Sequence, residues 1–168
     1  MDKDINASKM FKVTNSFIEA YHKALQPLIL ETDLPPMAVD ILMFIANNPE
    51  NNTAKDICRL KGFKSSIVSF HVDNLVKFGF FKREEVENDR RKTKLVCTDK
   101  SKVFIEKGKK LQHQFASELA VGLSEEDLMI FEKCMNKFES NINRIKMREL
   151  KMFKLLKNMR PKELILWY

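Results

Sequence analysis

Between Asp89 and Lys94 the chain reads Asp-Arg-Arg-Lys-Thr-Lys, which puts four cations within five residues. Guanidinium and ammonium groups at that density are chemistry for phosphate oxygens. An Arg from such a run can also enter a narrow minor groove, where the potential is strongly negative. Upstream lies a second set, Lys64, Ser65, Ser66, Ser69, Phe70 and Lys77. Its hydroxyls can serve base edges or phosphates, its lysines serve phosphates, and its aromatic ring can meet thymine methyls. Taken alone, a cationic run is usually a solvated loop and a row of serines an ordinary helix face. What surrounds them decides between these readings.

The net charge of the 168-residue chain is +7. From Ala54 to Lys102 there are 13 Lys and Arg against 7 Asp and Glu, whereas the rest of the chain holds 17 against 16. Nearly all of the surplus thus falls in the stretch that carries both candidate sets, as expected of a phosphate-binding surface. Only 4 Gly and 5 Pro are present, too few to turn a many-stranded sheet or to build a phosphate-cradling Gly loop. The three cysteines, Cys58, Cys97 and Cys134, are widely spaced and read as core or half-buried thiols rather than a disulfide framework or zinc ribbon. His22, His71 and His113 form no local ligand pair, and His71, three residues after Val68 and four before Leu75, reads as a packed or boundary histidine. No catalytic constellation, cofactor motif or metal site can be nominated, so the expectation is a binding protein and not an enzyme. No leader pattern or apolar run near 20 residues is found, which predicts a cytoplasmic protein without membrane association.

The elements that must position these residues read as mainly helical with a small β-wing. A first amphipathic helix is expected from Ile5 to Ile29 through Phe11, Phe17, Ile18, Tyr21, Leu25 and Leu28, with Pro27 disturbing its last turn. Leu34-Pro35-Pro36 opens a second, which runs to Asn47. Thr53 and Asp56 have the spacing of a capping box for a third, with Ile57, Cys58 and Leu60 inward and Gly62 as its stop. Two residues later Ser65-Ser66 can start a fourth, with Val68, Val72 and Leu75 on its buried side. Its outward side then holds Ser66, Ser69, Phe70, Asp73 and Lys77. Two helices so closely joined are a helix-turn-helix. After Gly79 the pattern becomes strand-like over Phe80 to Val86 and Lys94 to Thr98, which leaves Glu87 to Thr93 as a charged loop at the tip of a wing. A fifth helix is expected from Thr98 to about Ala120. A sixth should start at a second capping box, Ser124 and Asp127, and run through Leu128, Phe131, Met135, Phe138, Ile142 and Ile145.

In this arrangement the chain resembles the MarR (multiple antibiotic resistance regulator) family of winged helix-turn-helix proteins, from Leu34 to Lys102 and more loosely to Ile145. The resemblance is carried by Thr53-Ala54-Lys55-Asp56-Ile57, by Ser65 to Leu75, by Gly79-Phe80-Phe81-Lys82-Arg83, and by Asp89-Arg90-Arg91 with Leu95 and Thr98. It implies that Asp89 holds the neighbouring Arg, that Arg90 or Arg91 enters the minor groove, and that Ser65, Ser66, Ser69 and Phe70 read the major groove. It also implies a pocket for a small aromatic or phenolic effector. Phe70 stands where that family often has Arg, Cys97 where it often has Leu, and Ser101 where it usually has Gly.

The expectation is therefore three parts: an N-terminal dimerisation helix over 1–33, a winged helix-turn-helix DNA-binding domain over 34–98, and C-terminal dimerisation helices and tail over 99–168. As a homodimer the chain would bind double-stranded DNA through Lys64, Ser65, Ser66, Ser69, Phe70, Lys77, Asp89, Arg90, Arg91, Lys92 and Lys94, and regulate transcription as a repressor. The tail from Met147 to Tyr168 is expected to dock on the dimer. The rival reading is a winged-helix module for protein or RNA, which the exposed aromatic Phe70 would also suit.

Overall fold

The structure, a computed structural model, describes residues 6–86 and 89–158, with the side chains of residues 86, 89–92 and 154–158 outside that description. Residues up to Leu119 form one compact unit and those from Ala120 a second.

The first helix of the sequence reading is two helices. The helix α1 (Ala7–Ala24) is capped by the Asn6 side chain, which accepts from the Lys9 N–H at 3.0 Å, and it ends at Leu25. Pro27 has no N–H to continue the ladder, so the chain restarts as α2 (Gln26–Thr32) with the proline in its first turn. Leu25 and Leu28 are buried at this joint, whereas Phe11, Phe17 and Ile18 remain exposed.

Helix α3 (Pro36–Asn47) is apolar nearly all round and forms the centre of the core, with Ala38, Val39, Ile41, Leu42, Met43 and Ile45 buried. Helix α4 (Ala54–Lys61) starts at the expected capping box. The Asp56 N–H donates to Thr53 Oγ1 and the Thr53 N–H donates to Asp56 Oδ2, each at 3.2 Å. It stops at Gly62, whose φ of 71° is open to glycine and strained for other residues. Ile57 is buried and Cys58 half-buried, but Leu60, expected inward, is exposed. Helix α5 (Ser65–Lys77) packs Val68, Val72 and Leu75 onto α3 and α4.

The hairpin β1 (Phe81–Val86) and β2 (Asp89–Cys97) is antiparallel, pairing Phe81 with Cys97, Arg83 with Leu95 and Glu84 with Lys94, and its register shifts between Glu85 and Val86. Strand β2 thus begins at Asp89, five residues earlier than the apolar pattern indicates, with Thr93 paired to Glu85 and Asp89 to Val86 on either side of the register shift. Phe81 and Leu95 turn into the core, and the Leu95 N–H donates to the Asn52 carbonyl at 2.8 Å, which fixes the hairpin's root to the α3–α4 connection.

Helix α6 (Asp99–Leu119) returns across α1, α2 and α3. It passes α3 at Gly108, where a Cβ would lie 2.4 Å from the Met43 sulfur. Ser101, which departs from the family pattern, is fully buried, and its hydroxyl donates to the Thr98 carbonyl at 2.7 Å.

In the second unit α7 (Glu125–Asn158) starts at the Ser124–Asp127 box. There the Asp127 N–H donates to Ser124 Oγ at 3.1 Å and the Ser124 N–H to Asp127 Oδ2 at 2.9 Å. Leu128, Phe131, Met135, Ile142 and Ile145 form an exposed apolar stripe along it at spacings of three, four and seven. Cys134 is exposed on this helix, contrary to the expectation of a half-buried thiol. The tail residues 159–168 lie outside the described residues. No described helix is long and apolar enough to cross a membrane.

Candidate nucleic-acid interface

One side of α5 is committed to the core, and the other is turned outward. Lys64, Ser65, Ser66, Ser69, Phe70 and Lys77 are all exposed, Phe70 to 59%. Ile67, absent from the sequence reading, joins them at 42% exposure. Lys64 is the extended residue before the helix and makes no side-chain cap, so the first turn of α5 presents uncapped N–H groups flanked by an ammonium and two hydroxyls. The C-terminal end is held by Lys100, whose ammonium donates to the Phe78 carbonyl at 2.7 Å and lies 4.9 Å from the Phe80 ring centre.

The wing is fastened to this helix at both ends of the turn between them. The Phe80 N–H donates to the Leu75 carbonyl at 2.8 Å, and Thr98 Oγ1 donates to the Gly79 carbonyl at 2.6 Å. Gly79 has a φ of 74°, the left-handed conformation that lets the chain leave α5 and enter β1 within three residues. An ion pair that the sequence reading missed adds a side-chain tie: the Arg83 guanidinium of β1 donates to the Asp73 carboxylate on the outward face of α5. Both groups are substantially exposed, so its worth in stability is small, about 0–1 kcal/mol. Its effect is to neutralise the one acid on the outward face. On the other face of the hairpin Lys82 is paired with Glu84 at 2.7 Å, which holds the lysine pKa above its usual value.

Lys94 is exposed on β2 beside Glu84. The backbone of Asp89 to Lys92 runs in the same strand, but the side chains of Asp89, Arg90, Arg91 and Lys92 lie outside the described residues. The structure therefore places the α5 set on a helix that packs against β1, and Lys94 on the partner strand of β1.

His71 lies on the boundary of α5, with its ring edge-on to Phe70 at 5.2 Å between centres. Its Nδ1 is buried without a partner among the described residues, and burial lowers its pKa. Burial pushes the Cys97 thiol up, away from the reactive thiolate. Among the described residues no group of three or more side chains could hold a metal ion.

Within the first unit a cavity of 580 Å³ opens between α1, α3, α4 and α6. Phe17, Tyr21 and Phe115 line it as an aromatic cluster, with Phe115 edge-on to Phe17 at 5.4 Å and to Tyr21 at 5.7 Å. The Gln112 amide donates to the Tyr21 hydroxyl at 2.6 Å, and His22 Nε2 lies 2.9 Å from Asp40 Oδ2. Asp40 is 93% buried, and its Oδ1 has no partner among the described residues. A lone acid within the apolar run Met37 to Ile45 was the signal in the sequence that could have marked this site.

The family model of the MarR family matches residues 32–92. No curated protein sequence matches the chain. Among solved structures it is similar to a MarR family transcriptional regulator from Listeria monocytogenes complexed with 26mer DNA, at TM-score 0.72 and 15% identity, over 89% of this chain and 96% of that one. It is similar to a MarR protein from Peptoclostridium difficile at TM-score 0.71 and 16% identity, over 88% and 95% of the two chains. The S. aureus MepR-DNA complex is matched at TM-score 0.64 and 19% identity, over 83% and 99%. The helix order, the hairpin placed after the helix-turn-helix and the matched segment agree: residues 32–92 match the family model of the MarR family, and the chain has the winged-helix fold of these solved structures.

Proposed function

We propose that this protein is a transcription regulator that binds double-stranded DNA sequence-specifically as a homodimer, and that it represses by competing with polymerase or an activator for the promoter. The observation that carries the reading is the exposed outward face of α5, with its uncapped N-terminal turn and its tie to the wing, both within the stretch Ala54 to Lys102 that holds most of the surplus positive charge. A major groove about 12 Å wide admits such a helix, with Ser65, Ser66, Ser69 and Phe70 toward base edges and Lys64 and Lys77 toward phosphates. Arg90, Arg91, Lys92 and Lys94 of the wing are assigned to the neighbouring minor groove and its phosphates, with Asp89 holding the adjoining Arg in place. Two of the similar structures are of DNA complexes.

The dimer is supported by apolar surface that folding of one chain leaves uncovered. On α1 these residues are Met10, Phe11, Val13, Phe17 and Ile18, and on α7 the stripe from Leu128 to Ile145. A two-fold symmetric second copy is the simplest closed way to cover both. A small aromatic effector fits the cavity lined by Phe17, Tyr21 and Phe115, and its binding would bias the spacing of the two recognition helices.

Fluorescence anisotropy on the chain's own upstream duplex tests the reading. With six phosphates neutralised per dimer, the log-log salt slope should be about −5. The double change Arg90→Ala and Arg91→Ala should weaken binding to every duplex and flatten that slope. Unchanged affinity in the double variant would remove the wing from the mechanism. Exposure of Phe70 favours a second reading, a module for protein or single-stranded RNA, and tighter binding to RNA than to duplex would select it.

A further inference from the structure

We infer that α5 reads thymine through its 5-methyl group, with Phe70 and Ile67 as the residues that determine specificity; this rests on the DNA-binding reading above. Each base edge in the major groove calls for a different side-chain chemistry. Guanine is read by a bidentate Arg or by Lys, but α5 contains no Arg, and its flanking lysines, Lys64 and Lys77, are thirteen residues apart. At 1.5 Å per residue that is roughly 20 Å, so they bracket the contact surface instead of occupying its centre. Cytosine is read by a carboxylate accepting from its amino group, and the one carboxylate on the outward face, Asp73, accepts from Arg83. Adenine is read by a bidentate Asn or Gln. Helix α5 has no Gln, and its one Asn, Asn74, is half-buried.

What the centre of the face does present is apolar. Ile67 and Phe70 are three residues apart, hence neighbours on the helix surface, and both are exposed. The Phe70 ring is also braced edge-on by His71. The thymine methyl is the apolar group that a major groove offers, and covering it removes ring and methyl together from water. The serines at 65, 66 and 69 hydrogen-bond to any base edge or phosphate and so tolerate this choice.

The test uses the full chain and a duplex pool randomised over about 30 base pairs, enriched at low ionic strength. The most enriched duplex is then synthesised with thymine and with deoxyuridine at every thymine position. That change keeps the Watson–Crick pairing and removes the methyl groups. A buried methyl is worth about fourfold in affinity, so one in each half-site of a dimer predicts a loss of about fifteenfold for the wild-type chain on the deoxyuridine duplex. Phe70→Ser should bind the thymine duplex about as weakly as the wild type binds the deoxyuridine one, and should distinguish the two by less than about twofold. Phe70→Leu, which keeps an apolar tip, should retain most of the discrimination. Equal wild-type affinity for both duplexes, or full discrimination by Phe70→Ser, overturns the inference and leaves the DNA-binding reading standing. If no duplex is enriched, or RNA with its methyl-free uridine is preferred, both fall together.

Discussion

Replacing Gly108 by alanine adds one carbon at the crossing of α6 over α3, and the surroundings dictate its effect. The new Cβ would stand 2.4 Å from the Met43 sulfur, 2.8 Å from its methyl and 3.0 Å from a Leu28 methyl. Contacts between such atoms are normally about 3.5–4.0 Å, so the thioether must retreat by more than about 1 Å. Met43 is flexible at its tip but only 1% exposed, with Leu28 equally buried beside it, so the displaced atoms press on packed neighbours. Overpacking of this kind costs about 1–3 kcal/mol. Alanine recovers about 1 kcal/mol of helix propensity, which leaves a net loss of about 1–2 kcal/mol at the upper part of that range. Urea unfolding at fixed protein concentration should show this as a lower midpoint with an unchanged slope. The informative comparison is a double-mutant cycle. Met43→Ala alone opens a cavity and should cost about 2–5 kcal/mol, but in that background Gly108→Ala meets no sulfur and should stabilise by roughly its propensity gain. The same substitution thus changes sign with the residue at position 43. If it has one sign and size in both backgrounds, the close approach of α3 and α6 at this point is wrong.

Two further expectations concern pH. Asp56 has its pKa held below the usual 3.8, chiefly by the Thr53 hydroxyl and also by Arg59, so its contribution is complete above that value and is lost as pH falls through the folded-state pKa. Asp56→Ala should therefore cost about 1 kcal/mol near neutrality and much less at pH about 2, read from urea midpoints, and an equal loss at both pH values would refute the capping role. The lowered pKa of His71 works in the opposite direction: below 6.5 the unfolded chain takes up a proton that the folded one resists, so stability declines as pH falls from 6.5 toward the folded-state pKa. His71→Phe should flatten the stability profile between about pH 5 and 7 relative to wild type, and an identical profile would show that burial of this ring has no energetic weight.

Elements with a chemical start and stop were legible in the sequence. Thr53 with Asp56, Ser124 with Asp127, and the left-handed Gly62 and Gly79 each settle a boundary through one local hydrogen bond or one backbone conformation. Phase is harder to read in short elements. Helix α4 has eight residues, and in so brief a stripe Leu60 looks as inward as Ile57 although it is 49% exposed. Strand β2 begins at Asp89 because backbone pairing asks nothing of side chains, so a run of polar residues at a hairpin tip carries no alternation to reveal it. Much of the α5 face was visible from the inward spacing of Val68, Val72 and Leu75. Ile67 was not, because an isoleucine in a helix defaults to the core in any pattern argument. The Asp73–Arg83 tie and the Tyr21–Gln112 contact join residues from different elements, and no local spacing encodes them.

The Thr98 latch has a mechanical consequence. Helix α6 starts at the next residue, Asp99, so the hydroxyl gripping Gly79 and the ammonium of Lys100 gripping Phe78 both ride on the same first turn. A displacement of that turn pulls the exit of α5 and the base of the hairpin at once. Signal transmission from the cavity-lining half of α6 would then require no separate relay, only stiffness along one helix.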